Sequence, residues 1–144
     1  MTDFVIDASA VLSWIVPTQA TDASVAFLAA RDTQKFLAPY IMDWEIGNVL
    51  LTLLRRSALT PRDFGRARQE MAALSIEAQP PLAAEALDDL LVMSFESGLS
   101  LFDMSYLKLA IEEGAALVSR DRQLLDAAAR SGVECINLVR GAAR

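Results

Sequence analysis

The stretch Phe4-Val5-Ile6-Asp7-Ala8-Ser9-Ala10-Val11-Leu12 decides the fold. Phe4-Val5-Ile6 is short, apolar and partly β-branched, which reads as a buried strand, and Asp7 or Ser9 then caps a helix. A strand that is apolar at every position is covered on both faces, as in a parallel sheet. The same pattern recurs along the chain. Phe36-Leu37-Ala38, bounded by Pro39, is a second strand, Ser75 to Ala78 a weak one before Pro80-Pro81, and Ala115 to Ser119 and Val133 to Asn137 the last two. Between them fall helices. One runs to Pro17, one starts at Thr21 or Asp22, and one spans Ile41 to Arg56. The next begins at Thr60-Pro61 and reaches about Leu74, followed by Leu82 to Ser97 stopped by Gly98, Leu101 to Glu113 stopped by Gly114, and Asp121 to Ser131 capped by Gly132. This alternation predicts an α/β fold: a single domain over residues 1–144 with a mainly parallel central sheet of about four to five strands and helices on both faces. In such open sheets ligands bind beyond the carboxyl ends of the strands, near the point where strand order reverses.

Composition narrows the chemistry. With 144 residues, 53% apolar and 22% charged, the chain has the size and hydrophobicity of one self-folding domain. No apolar run approaches the ~18 residues of a membrane span, and the first basic residue is Arg31, so a cytoplasmic address without membrane association is expected. The single Cys135 cannot form an internal disulfide and rules out a Cys-rich zinc site. The absence of histidine removes Ser-His-Asp and Cys-His catalysis and every imidazole-ligated metal. A net charge of −6 disfavours gripping a phosphate backbone by bulk charge, so a nucleic-acid role needs a local basic patch or cations held by acids.

Four acids stand where chemistry is expected. Asp7 and Asp121 each follow a strand and so share one sheet edge, although each alone is explained as a helix N-cap. Glu45 lies in an otherwise apolar helix with Asn48 one turn on, either at the helix margin or held by a partner. Asp103 opens its helix, where the helix dipole alone would account for it. If the four converge, they cannot all be ionised without compensation. A divalent cation resolves the conflict, and oxygen donors without His or Cys select Mg²⁺ or Mn²⁺. One or two such ions can activate water and stabilise the departing oxygen in phosphodiester hydrolysis.

Taken together, Val5-Ile6-Asp7-Ala8-Ser9-Ala10, Trp44-Glu45-Ile46-Gly47-Asn48-Val49-Leu50, Leu101-Phe102-Asp103-Met104-Ser105-Tyr106-Leu107 and Leu117-Val118-Ser119-Arg120-Asp121-Arg122 resemble the PIN-domain ribonucleases, most of all the VapC-type toxins of VapBC toxin-antitoxin pairs. The resemblance spans nearly the whole chain. It implies a Mg²⁺- or Mn²⁺-dependent endoribonuclease that cleaves RNA, a homodimer, and a cognate VapB-like antitoxin that blocks the site. Carried over by position, Asp7, Glu45, Asp103 and Asp121 match the acidic quartet. Asp7 and Asp103 are then direct metal ligands, with Asp121 a further ligand and Glu45 and Asp121 able to orient water. Ser9 matches the hydroxyl two residues after the first acid, Asn48 the polar residue after the Glu, and Ser119 stands where many members have Thr; these are expected to hold the carboxylates. Phe102 and Met104 replace the more usual Tyr and Ala. Gln123 stands where some members carry a further acid.

Arg55, Arg56, Arg62, Arg66 and Arg68 form a basic cluster that reads as a solvated helical hairpin or as an RNA contact. Arg120 and Arg122 flank Asp121 and are better placed to meet phosphate. Trp14, Phe27 and Trp44 sit on apolar stripes and are expected in the core rather than as base-stacking residues. Two other classes stay open: an acid-based phosphotransfer domain, from which the receiver and dehalogenase-like patterns depart here, and a non-enzymatic α/β binding module in which every acid is a cap or surface charge.

Overall fold

A computed structural model describes residues 3–31 and 34–139. Its five strands are β1 (Phe4–Ile6), β2 (Phe36–Ala38), β3 (Ile76–Ala78), β4 (Ala116–Ser119) and β5 (Cys135–Asn137). They form one sheet in the order β3-β2-β1-β4-β5, and every neighbouring pair is parallel. The strands expected from the apolar runs are all present. β1, β2 and β4 are buried at every position, as the absence of polar alternation requires, whereas the edge strands β3 and β5 are partly exposed.

Seven helices connect them: α1 (Ala8–Ile15), α2 (Asp22–Ala29), α3 (Met42–Arg55), α4 (Pro61–Ala73), α5 (Ala84–Ser97), α6 (Leu101–Glu113) and α7 (Arg122–Arg130). Capping chemistry sets their ends. Asp7 caps α1, Thr21 and Thr60 form capping boxes at α2 and α4, and Ser100 and Asp121 cap α6 and α7. Gly98 and Gly114 take the left-handed conformation that ends α5 and α6. α5 starts two residues later than its sequence pattern, because Pro80-Pro81 is followed by an extended Ala83.

Strand order fixes the layering. The chain steps outward from β1 to β2 to β3, then returns to the other side of β1 for β4 and β5. Right-handed crossovers therefore put α1 to α4 on one face and α5 to α7 on the other. Packing agrees: α1 touches α2, α3 and α4, while α6 touches α5 and α7, and α6 also lies on β1 and β4. The order reverses between β1 and β4. Their register pairs Ile6 with Val118, so both strands finish level and Asp7 emerges beside Ser119.

Trp14 and Phe27 lie in the core region as expected, Trp14 stacking between Phe27 and Phe36 with ring centroids 6.1 and 5.6 Å away. Trp44 does not: 68% of it is exposed, since it falls on the outer strip of α3 while Met42, Ile46 and Leu50 take the inward one. No described helix is long and apolar enough to cross a membrane.

Candidate active site

Asp7 is the anchor. It is 4% exposed, and its carboxylate is clamped by three donors. Oδ1 accepts from the Ser9 hydroxyl at 2.7 Å and the Ala10 amide at 2.9 Å, and Oδ2 accepts from the Ser119 hydroxyl at 2.5 Å. The two serines are themselves fixed by backbone amides: Arg120 N–H donates to Ser9 Oγ at 2.9 Å and Asp121 N–H to Ser119 Oγ at 2.8 Å. Their hydroxyls lie 3.3 Å apart, each aiming its proton at Asp7. The expected supporting roles of Ser9 and Ser119 thus have a geometric basis. A carboxylate offers about four lone-pair positions, so three bonds leave one on Oδ2 for a further ligand. Burial pushes the Asp7 carboxyl up to about 6; the Ser119, Ser9 and Ala10 bonds pull it back, and the nearby Asp103 charge pushes it further up.

Glu45, on α3, reaches across the sheet edge to α6, where the buried Tyr106 donates its hydroxyl to Oε1 at 2.7 Å. This bond ties the helices of one face to those of the other directly above the strand-order reversal. Burial and the Glu45 charge raise the Tyr106 phenol, so it stays protonated and remains the donor. Asp103, half-buried in the first turn of α6, is raised by burial and by the charges of Asp121 and Glu45. Asp121 gives Oδ1 to the amides of Gln123 and Leu124 at the start of α7. Its capping role and a role for its second oxygen are therefore compatible.

The four acids are electrostatically one group, Asp103 sensing Glu45 and Asp121 and being sensed by Asp7. Among the described residues, however, no group of three or more His, Cys, Asp or Glu side chains is arranged to hold a metal ion. The donor set nevertheless fits a hard cation of the Mg²⁺ kind: it is all oxygen, carries excess negative charge and retains an uncommitted lone pair on Asp7. Mg²⁺ takes one or two carboxylates directly and keeps several waters.

Sequence reasoning missed the part played by Tyr106, whose polar tip on the inward face of α6 was the available signal. Asn48 is exposed, and its side chain makes no hydrogen bond to Glu45. Arg55, Arg56 and Arg122 are exposed, while Arg66 is engaged by Asp63 and Glu70 on its own helix. Arg120 is half-buried, and its Nε has no hydrogen-bond partner among the described residues.

The fold is that of an open parallel-sheet α/β protein, with Asp7 clamped at the topological switch point between β1 and β4. The chain belongs to the PIN domain family, whose model matches residues 4–130. Ribonuclease VapC3 of Pyrobaculum aerophilum is 26% identical over 122 residues, covering 85% of this chain and 92% of that protein. The crystal structure of PAE2754 from Pyrobaculum aerophilum superposes with a TM-score of 0.68 at 25% identity, covering 99% of this chain and 91% of that one. The crystal structure of VapBC2 from Rickettsia felis bound to a DNA fragment from their promoter gives a TM-score of 0.64 at 13% identity, with 94% and 98% covered, a likeness of fold.

Proposed function

We propose that this chain, one domain over residues 1–144, is a divalent-cation-dependent endoribonuclease that hydrolyses RNA phosphodiester bonds as the toxin of a type II toxin-antitoxin pair. The observation that carries the reading is the clamped Asp7 at the switch point, with Asp103 nearby and itself raised by the charges of Asp121 and Glu45. Family membership and the similarity to a ribonuclease of the VapC kind support it. A VapB-like antitoxin as the partner that blocks the cleft, and assembly as a homodimer, belong to the same proposal.

A bound Mg²⁺ or Mn²⁺ supplies positive charge against the phosphodiester and makes water acidic enough to attack at neutral pH. Asp7 and Asp103 would hold it, with Asp121 as a further ligand beside its capping of α7. Glu45, its Oε1 fixed by Tyr106, keeps Oε2 to orient the attacking water and accept its proton. Arg120, whose backbone amide holds Ser9, and the exposed Arg122 flank Asp121 and meet the phosphate.

The test is incubation of purified protein with a mixed RNA pool in Mg²⁺ or Mn²⁺. Cleavage is expected, and chelator or Asp103→Asn abolishes it. Cleavage that persists in chelator and in the variant would show that the acids do not carry the reaction.

A further inference from the structure

Trp44 is one of the exposed aromatics among the described residues, and packing against the core does not explain it. It is 68% exposed, whereas Trp14 is packed between Phe27 and Phe36. Its place is also specific: it immediately precedes Glu45, whose side chain turns toward Tyr106 and the acid group. At about 100° per residue, Trp44, Asn48 and Arg55 fall within a strip about 40° wide, and Asn48 lies between Trp44 and Glu45 around the helix. All three are exposed. Eleven residues at 1.5 Å rise make the strip about 16 Å long. It carries, in order away from the N-terminal end of α3, a flat aromatic face, an amide that both donates and accepts, and a fixed positive charge.

A nucleic-acid strand asks for that combination. Bases stack on exposed rings, base edges bond to amides, and phosphates bond to guanidinium groups. The exposed face of α5 differs. Leu87, Leu91 and Phe95 make a wholly apolar stripe on α5, with Phe95 90% exposed. The α3 strip is mixed, it runs beside Glu45 on the same helix, and in a chain of net charge −6 its arginine offsets the repulsion a phosphate would meet.

We propose that Trp44 is a base-stacking platform for single-stranded RNA, seating an unpaired base next to the scissile position while Asn48 and Arg55 guide the adjoining nucleotides along α3. The proposal rests on the ribonuclease reading and adds to it a residue that decides which RNA is accepted: an unpaired base can reach the ring, whereas a base stacked in a duplex cannot.

Trp44 and Trp14 are the two tryptophans of the chain, so fluorescence reports stacking without relying on turnover. An oligoribonucleotide of mixed sequence, titrated into the protein in an Asp103→Asn background with Mg²⁺, is expected to quench emission, and the added Trp44→Leu change is expected to remove that quenching. With the otherwise intact protein, Trp44→Leu is expected to raise KM for a single-stranded oligoribonucleotide by roughly ten- to a hundredfold, the loss one base–aromatic stack gives, with kcat changed less than about twofold. Trp44→Phe restores most of the affinity. Unchanged KM and unchanged quenching in Trp44→Leu would overturn the proposal. So would sedimentation showing that Trp44→Leu splits a dimer, with wild-type Trp44 emission shifting with protein concentration, because a second copy would then cover the ring. If wild-type protein fails to cleave but RNA still quenches Trp44, the nuclease reading fails and the stacking site stands.

Discussion

Asp7 is held in a conflict that its surroundings were built to maintain. Three donors favour its charge, and burial opposes it more strongly, so the carboxyl lies at about 6 against 3.8 for the free side chain. Between those two pH values the folded chain binds more protons than the unfolded one, so stability falls as pH rises through this window and the penalty is complete above it. Asp103 shifts in the same direction and adds to the effect. Without divalent cation, Asp7→Asn is therefore expected to unfold at higher denaturant than wild type at pH 7, by on the order of 1–2 kcal/mol, and the gap closes toward pH 4. Chemical denaturation at the two pH values checks this. Tyr106→Phe removes the donor that fixes Glu45; about 1 kcal/mol of stability is expected to go with it. RNA cleavage should fall about tenfold or more through kcat, because a positioned base contributes roughly that much or more. A variant as active as wild type would detach Tyr106 from the reaction. At this scale Asp7 and Asp121 were legible from their place after strands, Glu45 and Asp103 as acids in helices, and Ser9 and Ser119 through the resemblance to PIN-domain ribonucleases. The sequence hid the Tyr106 to Glu45 bond, which joins residues 61 positions apart. Trp44 was misread for a simpler reason: apolar type was taken as a guide to direction, and the ring falls outside the strip that Met42, Ile46 and Leu50 bury.

Elements are where local chemistry speaks most clearly. The capped starts at Thr21, Thr60 and Asp121 and the glycine stops at Gly98 and Gly114 are readable because each satisfies orphan backbone groups within a few residues. β1, β2 and β4 were readable because burial on both faces leaves no polar alternation. The start of α5 was less so, since Leu82 is apolar in a segment that Pro80-Pro81 holds extended. The capping box at Thr60 holds the first turn of α4, the helix that carries Arg62, Arg66 and Arg68. Thr60→Ala is expected to cost about 1 kcal/mol in chemical unfolding. RNA cleavage measured well below the unfolding transition should not change; a loss of activity at full foldedness would tie α4 to the substrate. The apolar stripe Leu87, Leu91 and Phe95 on α5 is expected to stay functionally silent toward RNA, so Phe95→Ser should leave RNA binding unaltered in a filter-binding titration.

For the whole molecule, a sheet that grows outward in two directions from β1 brings a residue at position 7, one at 45, one at 103 and one at 121 to a single edge. No local signal contains that meeting; it follows from right-handed crossovers and from the parallel register of β1 with β4. The repulsion among those acids is the feature on which the functional account depends, and a cation that relieves it must stabilise the fold. The decisive measurement is the unfolding free energy at pH 7.5 in chelator and in Mg²⁺ or Mn²⁺ at about a hundred times its dissociation constant. A gain of about 2–3 kcal/mol is expected for the wild-type chain, with little or none for Asp103→Asn. Equal stability of the wild-type chain with and without either cation, up to millimolar concentration, would contradict the account.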